Sequence, residues 1–91
     1  MTKHVQARIS GRVQGVGFRY YATHVAKGLN VVRTVRNTVD GGIEAVAEGE
    51  ETALHEFLVA LHRGPQAAEV TGIATAWGDP TGEFQDFSAV S

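Results

Sequence analysis

The 91-residue sequence contains no cysteine, which excludes a disulfide framework, a thiolate nucleophile and zinc or iron–sulfur sites of the cysteine type. No apolar run approaches the ~20 residues that cross a bilayer. The opening MTKHVQARIS lacks the apolar stretch of a signal peptide. A membrane is therefore not an expected partner, and a soluble, cytoplasmic protein is expected. A surplus of one charge is missing too: 8 Lys+Arg face 10 Asp+Glu, for a formal net charge of −2. A nucleic-acid binder would show a clustered basic excess, so nucleic acid is not an expected partner either. Neither an HExxH zinc motif nor a serine triad is present. No composition shift, polar linker, low-complexity tract or internal repeat divides the chain, so residues 1–91 are expected to form one domain. At this length roughly 60–65% of the unfolded surface is buried, enough for one modest core and a shallow site.

What is present reads as alternating strands and helices. Val5, Ala7, Ile9 and Val13 share one face while His4, Gln6, Arg8, Ser10 and Arg12 share the other, the period of a half-buried strand. Phe18, Ala22, Val25, Ala26 and Leu29 then recur at helical spacing, which predicts a helix from about Arg19 to Gly28. Val31 to Asn37 and Ile43 to Glu48 read as two strands, joined as a hairpin through Asp40-Gly41-Gly42, whose residues tolerate positive φ. Leu54, Phe57, Leu58 and Leu61 form the stripe of a second amphipathic helix, which Gly64-Pro65 ends. Val70 to Trp77 suggests a fourth strand, and Phe84 to Val90 a short fifth one after the Pro80–Gly82 turn. The order is β-α-β-β-α-β. Two helices with apolar stripes need one sheet face to cover, which gives an α+β two-layer sandwich of ferredoxin-like type with a mostly antiparallel sheet.

The informative segment is Gly11-Arg12-Val13-Gln14-Gly15-Val16-Gly17-Phe18-Arg19, between the first strand and the first helix. Glycines there let successive backbone N–H groups converge on one point, and a helix N-terminus adds unpaired donors and partial positive charge. Arg19 can present a planar fork to two oxygens of a phosphate or carboxylate. Together these make an anion cradle, although a tight strand-to-helix turn with a solvated arginine needs the same glycines. The segment is not a Walker A loop, since no Gly-Lys-Ser/Thr follows. Nor is it a dinucleotide fingerprint, because the third glycine is missing. His4, His24, His55 and His62 read as solvated rather than metal-ligating, as His55 and His62 lie about two helical turns apart. Glu48, Glu50 and Glu51 fit a strand end followed by a helix start, where acidic residues suit the positive N-terminus. Phe18, Tyr20 and Tyr21 begin a helix and are expected to pack. The same expectation covers Trp77, in the core or partly buried.

The string GRVQGVGFR, followed by VRNTVDG, resembles the acylphosphatase family, whose members hydrolyse carboxyl–phosphate anhydrides. The resemblance covers nearly the whole chain and includes AEGEE at Ala47 to Glu51, Gly64-Pro65 and Gly82-Glu83-Phe84. It implies the β-α-β-β-α-β fold reached above and a small-molecule acyl phosphate substrate, with inorganic phosphate or sulfate as competing anions. It places a phosphate-binding arginine at Arg19 and a water-orienting asparagine at Asn37. A phosphate loop of backbone amides falls on Gln14, Gly15, Val16, Gly17 and Phe18. No metal and no cofactor are called for, because a carboxylate leaves without protonation and charge on the phosphoryl oxygens can be met by Arg19 and the amides. A monomer is expected.

The chain departs from the family pattern at one place. Members often carry Leu-Gly-Leu-x-Gly-Trp where this chain reads Leu29-Asn30-Val31-Val32-Arg33-Thr34. Asn30 is a mild change, since Asn tolerates left-handed backbone; Arg33 and Thr34 are larger and could alter packing beside Asn37. That departure is the support for a rival reading, a non-catalytic anion-binding module. An RNA-binding ferredoxin-like domain is disfavoured by the net charge. A domain of a larger carbamoyl-transferring protein is disfavoured by the self-contained length.

Overall fold

A computed structural model describes residues 1–82 and 84–90. The elements run β1 (Thr2–Arg12), α1 (Phe18–Gly28), β2 (Val32–Asn37), β3 (Ile43–Glu50), α2 (Glu51–Arg63), β4 (Glu69–Gly78) and β5 (Phe87–Val90). They build one sheet in the order β4-β1-β3-β2-β5, antiparallel throughout except for β5, which runs parallel to β2. The alternation expected of β1 holds: Val5, Ala7 and Ile9 are buried, and Val13 is buried just past the strand end. They meet Ile43, Ala45 and Ala47 of β3 across the ladder and Leu54, Phe57 and Leu61 of α2 above it. Phe18, Ala22 and Ala26 supply the buried stripe of α1. Both stripes join a single core between the sheet and the two helices. Burial of this apolar surface, at ~25 cal/mol per Å², is what holds the layers together.

Three ends and edges differ from the sequence expectation. First, α1 begins at Phe18, one residue early, because Gly17 adopts the left-handed conformation (φ 80°, ψ 20°) and acts as the N-cap. Second, β3 runs on to Glu50 and passes directly into α2. Third, β5 starts at Phe87 rather than Phe84. Phe84 is diverted: its ring lies 4.3 Å from the Arg33 guanidinium carbon, a cation–π contact. Phe87 takes the core position instead, edge-on to Phe57 at 5.5 Å between centroids. Glu83, in the middle of the Gly82-Glu83-Phe84 segment, lies outside the described residues. As expected, Gly64 ends α2 with a positive φ of 67°, and its N–H bonds the Ala60 carbonyl at 2.9 Å. Among the described residues no helix is long and apolar enough to cross a membrane.

His4, expected to be solvated, is half-buried against Glu48, which the sequence offers only as the acidic end of a strand. Glu48 is 2% exposed. His4 Nδ1 lies 2.8 Å from its carboxylate, and Arg33 Nη1 lies 3.3 Å from it. The Thr81 and Gly82 N–H groups and the Thr81 hydroxyl complete the shell at 2.9, 3.2 and 3.1 Å. Burial alone would raise this carboxyl's pKa. The hydrogen bonds from His4, Thr81 and Gly82 outweigh it and hold the group at about 2. Glu48 thereby ties β1, β2 and the segment leading to β5 into one end of the sheet.

Candidate functional site

The loop between β1 and α1 is a run of turns over residues 14–17. Gly15 and Gly17 both have positive φ, 73° and 80°, and a Cβ at either would meet nothing within 4 Å. Glycine is needed there for the dihedral and not for space. Left-handed residues alternating with ordinary ones turn successive N–H groups inward, which is the geometry of an anion nest. The loop delivers the chain into α1, whose first turn carries no acidic side chain and has no side-chain cap. Its first N–H donors and partial positive charge therefore have no side-chain partner within the helix start.

An open cleft of about 490 Å³ sits at this point. Gly15, Gly17, Phe18 and Arg19 line one side of it and Asn37 another. These two sides come from segments far apart in sequence, and they meet because β2 ends beside the start of α1. Arg19 occupies the first helical turn, half-buried, with Nη1 3.5 Å from the Val90 carbonyl of β5. Asn37 is the last residue of β2, half-buried, and pairs in register with Ile43. Among the described residues no protein group is hydrogen-bonded to its side-chain amide, so its carbonyl can accept and its NH₂ can donate to whatever occupies the cleft. Of the seven candidate residues, five border the cleft. Gln14 and Val16 do not.

The hairpin that follows Asn37 is heavily cross-bonded. The Thr38 N–H donates to the Gly42 carbonyl at 2.9 Å and the Gly41 N–H to the Thr38 carbonyl at 3.2 Å. The Thr38 hydroxyl donates to the Asp40 carboxylate. With the Gly42 N–H, that bond holds the Asp40 carboxyl below its usual pKa. Gly42 is needed for space, since a Cβ there would lie 2.7 Å from the Ile9 carbonyl.

The acylphosphatase family model matches residues 5–89. The chain belongs to the acylphosphatase family. It is 44% identical over 85 residues to an acylphosphatase of Salinibacter ruber, covering 93% of this chain and 90% of that one. It is 50% identical over 76 residues to an acylphosphatase of Methanothrix thermoacetophila, covering 84% of each. Its fold superposes on a crystal structure of acylphosphatase from Bacillus subtilis with a TM-score of 0.93 at 35% identity, over the whole of both chains.

Against the acylphosphatase pattern, the Arg33-Thr34 departure is accommodated without disturbing Asn37. Arg33 holds φ at 108°, a conformation that suits glycine and costs another residue ~1–3 kcal/mol. Its side chain offsets this through Glu48 and Phe84. Its N–H bonds the Asp86 carbonyl at 2.9 Å. The register with β3 then continues unbroken from Val32 to Asn37. Asn30, at φ 58°, takes the left-handed position expected of it.

Three cleft residues escaped the sequence reading. Tyr20, expected to pack, is 79% exposed at the rim. Only Phe18 and Tyr21 of that trio turn inward, Tyr21 donating its hydroxyl to the Ala60 carbonyl at 2.7 Å. Thr23 borders the cleft one helical turn beyond Arg19, and its hydroxyl donates to the Arg19 carbonyl at 2.8 Å. Ala89 arrives on β5. A tyrosine on an otherwise polar helix position was a readable signal, whereas the parallel pairing that brings Ala89 in has no local signature. Among the described residues, no three His, Asp or Glu side chains gather as metal ligands.

Proposed function

We propose that the chain hydrolyses the carboxyl–phosphate bond of acyl phosphates in the cleft between α1 and the end of β2. The observation that carries this reading is the convergence of three things on one hollow. They are the glycine loop at an uncapped helix start, the Arg19 guanidinium, and an Asn37 amide with no protein partner among the described residues.

In this reading the phosphoryl group sits on backbone N–H groups of the glycine loop, where Gly15, Gly17 and Phe18 border the cleft, with Arg19 gripping two of its oxygens. Phosphoryl transfer passes through a loose transition state with charge spread over the equatorial oxygens, so preorganised donors there lower the barrier most. Asn37 holds the attacking water in line by accepting one of its protons through the carbonyl and donating from the NH₂ to its oxygen. The phosphorus–oxygen bond to the acyl group breaks as the new one forms. The carboxylate leaves already ionised and needs no general acid, and the proton of the water passes to the phosphate. Arg19 and the loop dipoles provide the charge compensation that a metal ion gives in many phosphoryl-transfer enzymes. Every group in the scheme comes from one chain, so we propose that the monomer is the working unit.

The test is phosphate release from acetyl phosphate. Arg19→Ala is expected to lose ~10²–10³-fold in kcat/KM, the scale of removing a preorganised donor. Arg19→Lys is expected to recover little, because a point charge does not reproduce the fork. Inorganic phosphate is expected to inhibit competitively and to do so less well against Arg19→Ala. A folded Arg19→Ala protein with near-normal turnover would end the assignment.

A further inference from the structure

The Gln14 side chain does not enter the cleft. Its Nε2 donates to the Thr38 carbonyl at 2.7 Å and to the Gly42 carbonyl at 2.9 Å. Both hydrogens of the amide are thereby used, and each carbonyl already accepts one backbone N–H within the hairpin. Gln14 directly precedes Gly15, and Thr38 directly follows Asn37.

This tie spans a gap that the sheet leaves open. β1, which leads into the glycine loop, and β2, which ends at Asn37, are not neighbours, because β3 lies between them. Two strand spacings of ~4.8 Å therefore separate the chain that carries the phosphate cradle from the chain that carries Asn37. The sheet fixes that separation along the strands, but the glycine loop has already left the ladder, and Asn37 is the last residue of β2 that the ladder pairs. The half-buried Gln14 amide closes the gap over the start of β3, bonding the hairpin at both of its flanking residues.

We propose that Gln14 is a positioning residue: it sets the placement of Asn37, and of the water it orients, relative to the phosphate cradle. The inference rests on the proposed reaction. In-line attack needs the water oxygen within ~3–3.5 Å of phosphorus and on axis, and misplacement of ~1 Å costs up to ~10²-fold in rate. Phosphate binding uses Arg19 and the loop amides, which Gln14 does not touch through its side chain. Loss of the tie therefore falls on kcat and spares affinity for phosphate.

The experiment measures kcat, KM and inhibition by inorganic phosphate with acetyl phosphate as substrate, well below the unfolding temperature of each variant. Gln14→Met keeps the length of the side chain and removes both donors; kcat is expected to fall ~10- to 100-fold with the phosphate inhibition constant within about twofold of wild type. Gln14→Glu keeps the shape but aims a carboxylate at two carbonyl oxygens at neutral pH, and is expected to be worse than Gln14→Met. Gln14→Asn retains the donors on a shorter arm, falls between Gln14→Met and wild type, and carries the test if Gln14→Met does not fold. Variants that are less stable yet keep wild-type kcat when folded would overturn the proposal and leave Gln14 as a hairpin brace. So would a parallel loss of kcat and phosphate affinity. If wild type releases no phosphate, or Arg19→Ala is as active as wild type, the reaction assignment itself fails. That outcome differs from an Arg19-dependent enzyme indifferent to Gln14.

Discussion

Replacing Glu48 by glutamine removes one charge from an almost fully buried site while preserving its shape. The folded carboxyl sits at about 2 against an ordinary value of 4.5, which corresponds to roughly 3 kcal/mol of stability at neutral pH. The sign follows from the direction. The folded chain binds this proton less tightly than the unfolded chain, so the contribution is complete above about pH 5 and drains away as pH falls toward 2. A domain of this size has a total stability of ~5–15 kcal/mol, so the loss is a large share of it. Glu48→Gln also turns an NH₂ toward the N–H groups of Thr81 and Gly82 and leaves Arg33 without its counter-charge. Guanidinium unfolding at pH 7 is expected to show Glu48→Gln less stable by at least ~3 kcal/mol. Near pH 2.5 the gap is expected to shrink to ~1 kcal/mol or less, because there the unfolded chain's carboxyl is already protonated and the folded one has only begun to be. A variant within ~0.5 kcal/mol of wild type at pH 7, or a gap that ignores pH, would refute the role given to Glu48.

Arg33→Gly and Arg33→Ala both delete the contacts with Glu48 and Phe84, but only glycine relieves the backbone at φ 108°. Thermal unfolding is expected to find the glycine variant more stable than the alanine variant by about 1 kcal/mol. None of the groups proposed for the reaction is of a type that titrates near neutrality, so kcat/KM on acetyl phosphate is expected to be nearly flat from pH 5 to 8. EDTA is expected to leave it unchanged. A rising limb that disappears with substitution of one of the four histidines would instead mean a histidine base.

Much of this architecture was legible because its signals are local. Val5, Ala7 and Ile9 state the buried face of β1, Leu54, Phe57 and Leu61 that of α2, and Asp40-Gly41-Gly42 a turn needing positive φ. The glycine loop proposed as the cradle was legible for the same reason, since a strand, a glycine loop and a helix start are contiguous in the chain. Long-range pairings were not. Glu48 looked like the acidic lead into a helix because His4, Arg33 and Thr81, which bury it, lie 44, 15 and 33 residues away. Gln14 looked like one more loop residue until its side chain was placed against the hairpin. The start of β5 is not legible because Phe84 and Phe87 are equally apolar, and it takes the folded chain to show Phe84 against Arg33 and Phe87 in the core.

In the proposed reaction the labour is divided within one cleft: Arg19 and the loop hold the phosphoryl group and Asn37 aims the water. The measurement that tests it most directly is kcat and KM for acetyl phosphate, with inorganic phosphate affinity, for Asn37→Ala beside wild type. For Asn37→Ala, kcat is expected to fall by ~10²-fold or more, with KM and phosphate affinity close to wild type. A folded Asn37→Ala protein that keeps its kcat, or that loses affinity while turning over normally, would contradict it.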